Sequence, residues 1–401
     1  MEKLFNLLDE CYQEIVEIRR YLHQHPEISF EEVHTPEYIA AYHENLGHEV
    51  RRYVGGRGVV ATLRGGKPGP TVAIRADFDA LPIQEENEVL YKSKNDGKMH
   101  ACGHDGHTAT ALGLAKALNK IKLDLEGTVV FIHQHAEELP PGGAIEMIED
   151  GCLDGVDVIF GYHLSSMSPL GEIGYRSGPI TAAADRFDIK IQGYGGHGSQ
   201  PHNTIDSIAV GGQLIVNLQQ IVSRRIDPLS TAVVSICSFD AKNPYNIIPD
   251  SVTLTGTVRT YDEKVRSSIE KEIERIVKGT CLAAGADYSY QYTKGYPATV
   301  NYPEETQLVA GLAKSVPGVD SVKEYQPAMG GEDFSYYLQH AKGTFFMTGA
   351  KITNGEAYPH HHPKFNFDEK ALLIAAKVLG SATLTYMKNE VQTTVNQEGI
   401  R

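Results

Sequence analysis

The chain reads as an α/β protein whose main domain is interrupted by a smaller α+β domain, and three observations predict that division. Short apolar stretches at residues 71–77, 127–132 and 156–162 read as buried strands, and each runs into polar, metal-competent side chains. In open α/β sheets, sites form at the carboxyl ends of the strands, so this recurrence carries more weight than any single motif. Between residues 186 and 293 the rhythm changes to strand, helix, strand, strand, helix, strand, the order of a ferredoxin-like unit. A run of three histidines at 360–362 lies beyond that block, so the block reads as an insertion. A length of 401 residues also exceeds what one hydrophobic core usually serves.

The elements follow in order. Leu4, Leu7, Leu8, Cys11, Ile15, Ile18 and Leu22 recur at helical spacing, and Pro26 ends the pattern. After the strand at 71–77 comes a cysteine-containing turn. It opens a helix in which Thr108, Ala109, Leu112 and Ala115 are small enough for close packing. In the inserted block, residues 186–192 alternate as a strand, and Asn203 with Asp206 predicts a capping box for a helix to about Arg225. Strands at 231–239 and 251–259 follow. Thr260 with Glu263 predicts a second capping box for a helix to about Ala284, before a last strand at 288–293. The polar tail after Lys388 is expected to fray.

Composition excludes several classes of partner. The formal net charge is -14 and basic runs are almost absent, which argues against nucleic acid. No stretch is long and apolar enough to span a bilayer, and the first ten residues lack a secretory core, so no membrane partner is expected. Cys11, Cys102, Cys152, Cys237 and Cys281 are scattered and odd in number, unlike a disulfide framework. The expected location is the cytoplasm.

Chemistry concentrates in four places. Met99-His-Ala-Cys-Gly-His-Asp-Gly-His107 puts a cysteine and three histidines into nine residues. Cys102 and His104 can both reach one metal from a tight turn, and Gly103 between them leaves the approach clear. The other three are His133-Gln-His-Ala-Glu-Glu138, His163 and His360-His-His-Pro363. Cys102, His104, Glu138, His163 and one of the 360–362 histidines make five candidate ligands, more than one catalytic zinc uses, so two metals fit better. Glu137 and Glu138 sit at a strand end, where neighbouring side chains diverge, so one carboxylate can hold metal while the other works on water. Hydrolysis is therefore expected rather than metal storage. His23, His25, His34, His43 and His48 read as surface or packing residues, and Glu85, Glu86 and Glu88 as a solvated charge run.

Taken together, Arg75-Ala-Asp-Phe-Asp-Ala-Leu-Pro82, the 99–107 run, Ala136-Glu-Glu138, Gly330-Gly-Glu-Asp-Phe334 and His361-His-Pro363 resemble the M20 metallopeptidase family. The likeness is greatest to its amidohydrolases of indole-acetyl-amino acids, hippurate and other N-acyl amino acids, and it covers nearly the whole chain. The resemblance implies a mixed-sheet, zinc-exopeptidase-like catalytic domain at 1–182 and 295–401, with a lid and dimerisation domain at 183–294. It also implies a centre of two divalent ions, manganese or zinc foremost and cobalt or nickel also suited, on Cys102, His104, Glu138, His163 and His361. Glu137 is then the general base, and Asp77 orients a metal-binding group. His197 corresponds to a lid histidine that stabilises the oxyanion, often across a dimer interface, while Asn246 and Arg259 handle the substrate's free carboxylate.

The expected activity is metal-dependent hydrolysis of N-acyl amino acids to a carboxylic acid and a free amino acid, by a homodimer whose lid hinges near Gly178 and Gly295. The alternative is a dipeptidase or aminopeptidase on the same dinuclear centre. A binding protein without catalysis is disfavoured by the presence of Glu137. Two features depart from the family pattern. His135 stands where relatives have proline, and His360 and His362 compete with His361 as the ligand.

Overall fold

The computed structural model describes residues 1–353 and 355–398. It divides into two units, the first made of Met1–Ile180, Val300–Gln326 and the chain from Asp333 onward, the second of Thr181–Thr299 and Pro327–Glu332.

The first unit is built on an eight-stranded mixed sheet. Its order is Glu49–Val54, Gly58–Arg64, Glu126–Gln134, Lys67–Asp77, Val158–Pro169, Lys342–Lys351, Glu172–Tyr175 and Ser321–Glu324. Glu126–Gln134, Lys67–Asp77, Val158–Pro169 and Lys342–Lys351 run parallel, with Asp77 opposite Gln134 and His163 opposite Met347. Their interiors are near-continuous apolar runs because helices cover both faces. The register therefore brings Asp77, the Gln134–Glu138 segment and His163 to one edge of the sheet.

Three helices pack on one face: Glu2–Gln24, His104–Asn119 and Lys370–Glu398. Leu4, Leu8, Ile15, Ile18 and Leu22 are buried there, as their spacing predicts. Gly113 permits the approach of the first two helices, because a Cβ at that position would lie 2.3 Å from Ile15 Cγ1. The tail does not fray where the sequence suggested, since the last helix continues to Glu398; residues 399–401 lie outside the described ones.

Of the histidines read as surface or packing residues, several prove to be packing. His43 and His48 are buried with His133, Nδ1 of His43 lying 2.9 Å from Nδ1 of His48 and its Nε2 2.9 Å from Nε2 of His133. Glu85 is not part of a solvated run. It is buried, accepts the Ser93 N–H at 2.7 Å, and lies 3.2 Å from His23 Nε2. A charge run describes solvent only where no cation or amide is folded against it, and here the first helix supplies His23.

The second unit is an antiparallel four-stranded sheet in the order Ala232–Asp240, Ser251–Thr260, Ala183–Gln192, Asp287–Thr293, with helices Ser207–Leu218 and Glu263–Ala284. Both helices start later than their predicted boxes. Asp206 caps the first through Ile208 and Ala209 N–H, and Asp262 caps the second through Lys264 and Val265 N–H. Aspartate accepts those amides directly, so neither Asn203 nor Thr260 is needed as a cap. The first helix closes at Leu218, and a separate turn covers Ile221–Arg225. Gly295 is pinned rather than loose. Its N–H donates to Asp185 Oδ1 at 3.0 Å and its carbonyl accepts Arg266 Nη2 at 2.8 Å.

Candidate metal centre

Asp77 closes its strand as a fully buried carboxylate. Arg75, on the same face, donates from Nη1 to Asp77 Oδ2 at 2.5 Å, from Nε to Gln134 Oε1 at 2.9 Å and from Nη2 to Asp333 Oδ1 at 2.8 Å. Burial opposes the Asp77 charge, but Arg75, His104 and His107 hold its carboxyl well below the usual range. Asp333, in the Gly330–Phe334 motif, thus anchors the arginine that anchors Asp77.

The next acid on that face, Asp79, does work that reading the motif did not assign. Its carbonyl and Oδ1 lie 3.0 and 3.1 Å from His104 Nδ1. Both are acceptors, so Nδ1 carries a proton and Nε2 is the nitrogen left facing the cluster. Asp79 Oδ2 accepts the Glu138 N–H at 3.0 Å. The spacing of Asp77 and Asp79, two residues apart beyond an apolar strand, is the sequence signal for this role.

His104 opens its helix after Gly103, whose φ of +97° suits glycine. His163 is tied in the same way as His104. Its Nδ1–H donates to the Leu164 carbonyl at 2.7 Å, which leaves Nε2 bare at 3.4 Å from Cys102 Sγ. His107 differs, since Nδ1 bonds Asp77 Oδ1 at 2.6 Å and Nε2 accepts the Leu164 N–H at 3.0 Å. Both of its nitrogens are engaged, so it supports Asp77 and offers no lone pair to a metal.

Among the described residues, five groups of candidate ligand atoms each fall within 4.8 Å, and three of them join the expected ligands: Cys102, Glu138 and His361; Cys102, His163 and His360; and His104, Glu137 and Glu138. All five side chains expected as ligands are therefore brought together. The triple histidine resolves in part. His362 stacks on Tyr358 with ring centroids 4.5 Å apart and accepts the Lys364 N–H, away from the centre. His361 Nε2 lies 3.2 Å from Glu138 Oε1, and His360 Nδ1 lies 3.7 Å from Cys102 Sγ. His361 holds a left-handed φ of +66°, with its N–H fixed on the Ala101 carbonyl at 2.8 Å.

Glu137 and Glu138 do not diverge by strand pleating, because the strand stops at Gln134 and Ala136 turns left-handed at φ +52°. Glu137 Oε2 and Glu138 Oε1 are each 3.9 Å from His104 Nε2, so both acids face the same space.

These residues fit divalent cations. His104 Nε2 is buried and forms no hydrogen bond, an arrangement that is costly unless something else binds it. Asp77, Asp79, Glu137 and Glu138 crowd around the site. Burial would lower the His104 pKa, yet Asp77 and Asp79 outweigh it and push the ring up to about 10. Burial, Glu138 and Glu137 drive the Cys102 thiol well above its ordinary value. Both shifts express a demand for positive charge that a cation meets.

The three second-unit candidates lie on one antiparallel framework. His197 pairs opposite Ile247 in a two-residue ladder, beside Asn246, whose carbonyl accepts the Gly198 N–H at 2.8 Å. Both side chains are exposed. Ser199 donates its N–H to His197 Nδ1 at 3.2 Å. Arg259 sits eight residues along Ser251–Thr260 from the end nearest that ladder, roughly 26 Å at strand rise. The structure brings His197 and Asn246 together and leaves Arg259 at the far end of the sheet.

A parallel-sheet edge carrying a thiol, imidazoles and paired carboxylates is a site built for divalent metal, with carboxylates placed to work on water. The chain belongs to peptidase family M20/M25/M40, whose family model matches residues 73–385. It is 49% identical over 303 residues to the N-acyl-L-amino acid amidohydrolase of Geobacillus stearothermophilus, covering 76% of this chain and 82% of that protein. It is 42% identical over 365 residues to the N-acetylcysteine deacetylase of Bacillus subtilis (strain 168), covering 90% and 94%. The crystal structure of a Bacillus subtilis dinuclear metal binding peptidase from the M20 family matches with a TM-score of 0.82 at 36% identity, covering 95% of this chain and 99% of that one. Among the described residues, no helix is long and apolar enough to cross a membrane.

Proposed function

We propose that the chain hydrolyses the amide bond of N-acyl amino acids to a carboxylic acid and a free amino acid, with Cys102, His104, Glu138, His163 and His361 holding two divalent cations. The carrying observation is the pair of imidazoles, His104 and His163, each with Nδ1–H tied to an acceptor and Nε2 left facing the same cluster of acids and thiol. When bound, the cations supply Lewis-acid polarisation of the scissile carbonyl and make water more acidic, a task for which manganese or zinc, and also cobalt or nickel, suit these donors.

Glu137 takes the proton of the attacking water and returns it to the leaving nitrogen. Its 3.9 Å approach to His104 Nε2 supports that role, because it keeps the carboxylate beside the ligands. Asp77 orients the cluster through His107 and His104. His197 donates to the oxyanion. An amide can only donate, so the Ser199 N–H makes His197 Nδ1 an acceptor, and a neutral ring then carries its proton on Nε2. Asn246 and Arg259 bind the substrate's carboxylate, for which a guanidinium fork is suited.

The second unit is read as a ferredoxin-like lid and dimerisation domain at about 183–294. Its strand–helix–strand–strand–helix–strand order, with the first and third strands central, supports that reading. The separation of His197 from Arg259 supports a homodimer in which the partner's lid completes each site, and the edge strand Ala232–Asp240 offers the pairing surface. All five cysteines are unpaired, which fits a reducing compartment such as the cytoplasm.

The test is amino-acid release from N-acetyl, N-benzoyl and indole-acetyl amino acids, with unmodified dipeptides alongside, after stripping the protein and reloading manganese or zinc. Metal-dependent release from the acylated compounds is expected. Release from dipeptides alone would move the reading to a peptidase.

A further inference from the structure

Two carboxylates that bind no ligand atom hold the main chain of Ala136–Glu138 from both ends. Asp79 Oδ2 accepts the Glu138 N–H at 3.0 Å, and Glu32 Oε1 accepts the Ala136 N–H at 2.9 Å. Ala136 stands between them at φ +52°. That conformation costs a residue with a Cβ on the order of 1 kcal/mol, and it persists only where surrounding contacts over-determine it.

Glu32 belongs to a strap of residues 27–33 that is itself fixed. The Glu27 carboxylate accepts the N–H groups of His34 and Thr35, which ties the strap to the helix His34–Asn45. Ser29 Oγ–H donates to Asp79 Oδ2 at 2.7 Å, so the strap touches both holding carboxylates. Phe30, also left-handed at φ +64°, packs edge-on to His135 with centroids 5.9 Å apart. Arg57 donates to the Glu32 carbonyl, and its Nε lies 3.9 Å from Glu32 Oε2. The Glu32 side chain is fully buried, and Oε2 makes no hydrogen bond.

We propose that Glu32 is a positioning residue, which by accepting the Ala136 amide holds Glu137 and Glu138 in the orientation that retains the metal and moves the proton. This inference rests on the metal-hydrolase reading of the same centre. It requires an acceptor oxygen at Glu32, not a charge. Burial and the neighbouring Asp79 raise the Glu32 carboxyl to about 8, and a carboxyl oxygen accepts from an amide in either protonation state.

Three variants separate the alternatives: Glu32→Ala, Glu32→Gln and Glu32→Met. Glutamine keeps an acceptor oxygen, methionine keeps the volume without one, and alanine removes both. Glu32 borders a hollow of about 410 Å³ with Phe30, Arg57, His135 and Glu146. The methionine variant serves in place of alanine if the latter does not fold.

The first readout needs no substrate: zinc or manganese affinity and stoichiometry by chelator competition on the full chain. The second is kcat and KM on an N-acyl amino acid. Ala and Met are expected to weaken metal affinity about 10–100-fold and lower kcat by a similar factor, with KM within about threefold, as for other residues that orient metal ligands. Gln is expected within about threefold of wild type on both readouts. Wild-type metal affinity and kcat in Ala and Met would overturn the proposal, as would a Gln variant as impaired as Ala. If wild type cleaves no acylated substrate, the functional reading fails while the affinity comparison still decides the role of Glu32.

Discussion

Mild acid should destabilise this protein through the buried chain of His48, His43 and His133, and the size of the loss can be worked out from their surroundings. Burial depresses all three rings. His48, which Lys122 also opposes, is lowered to about 4, and His133 to about 3. His43 lies well below its ordinary value, because burial, and then its neighbours His133 and His48, oppose a charge on it. Free imidazole in the unfolded chain titrates near 6.5. Between that value and the folded ones, the unfolded state binds more protons, so stability is fully present above pH 6.5 and falls as the pH drops toward 4. At pH 5 each ring that stays neutral when folded costs about 2 kcal/mol relative to neutral pH, and three cost about 6 kcal/mol, much of a typical folding free energy. His48→Gln removes one titrating ring and keeps a polar partner for His43. Urea midpoints followed by circular dichroism at pH 7.5 and 5.0, at equal metal loading, provide the check. Wild type should lose about 2 kcal/mol more than the variant across that interval. Equal losses would refute the reasoning, because they would show that the buried rings do not carry the proton linkage.

Three further outcomes are expected. Glu137→Gln should keep its metal by chelator titration yet fall to a few per cent of wild-type turnover or less, since an amide cannot accept the water proton. Arg75→Lys should cost about 3 kcal/mol or more by denaturation midpoint, because one ammonium cannot serve Gln134, Asp77 and Asp333 at their buried positions. Stripping the protein with a chelator should lower its melting temperature, a cation held at a thousand times its dissociation constant contributing about 4 kcal/mol. An unchanged melting temperature would show that no cation is bound at the cluster.

Much of the site was legible because its donors are unusual residues placed at the ends of apolar strands. Cys102, His104, Glu138 and His163 could be picked out because burial of such groups needs a reason, and a shared metal supplies one. The triple histidine was legible as a cluster and not as an assignment. Adjacent residues differ only in local turn geometry, and the left-handed turn at His361 is fixed by a long-range bond to Ala101. Glu32 escaped notice because it acts on a backbone amide, which no side-chain motif reveals, whereas the only signal for Asp79 was its spacing from Asp77. The packing of His43 could not be told from surface exposure, and Glu85 was misread, for a related reason. Their partners, His133 and His23, are 90 and 62 residues away.

The sequence by itself determined the alternation of buried strands and amphipathic helices, the insertion of a second unit, and the chemical character of the centre. Those follow from local periodicity and from the cost of burying ionisable groups. Only the tertiary structure decided which nitrogen of each histidine is free, that Glu137 and Glu138 leave a left-handed turn rather than a strand end, and that Arg259 lies a sheet's length from His197. Each of these depends on which backbone amide or carbonyl folds against a side chain. That is set by the register of strands far apart in the sequence, and no local pattern encodes it.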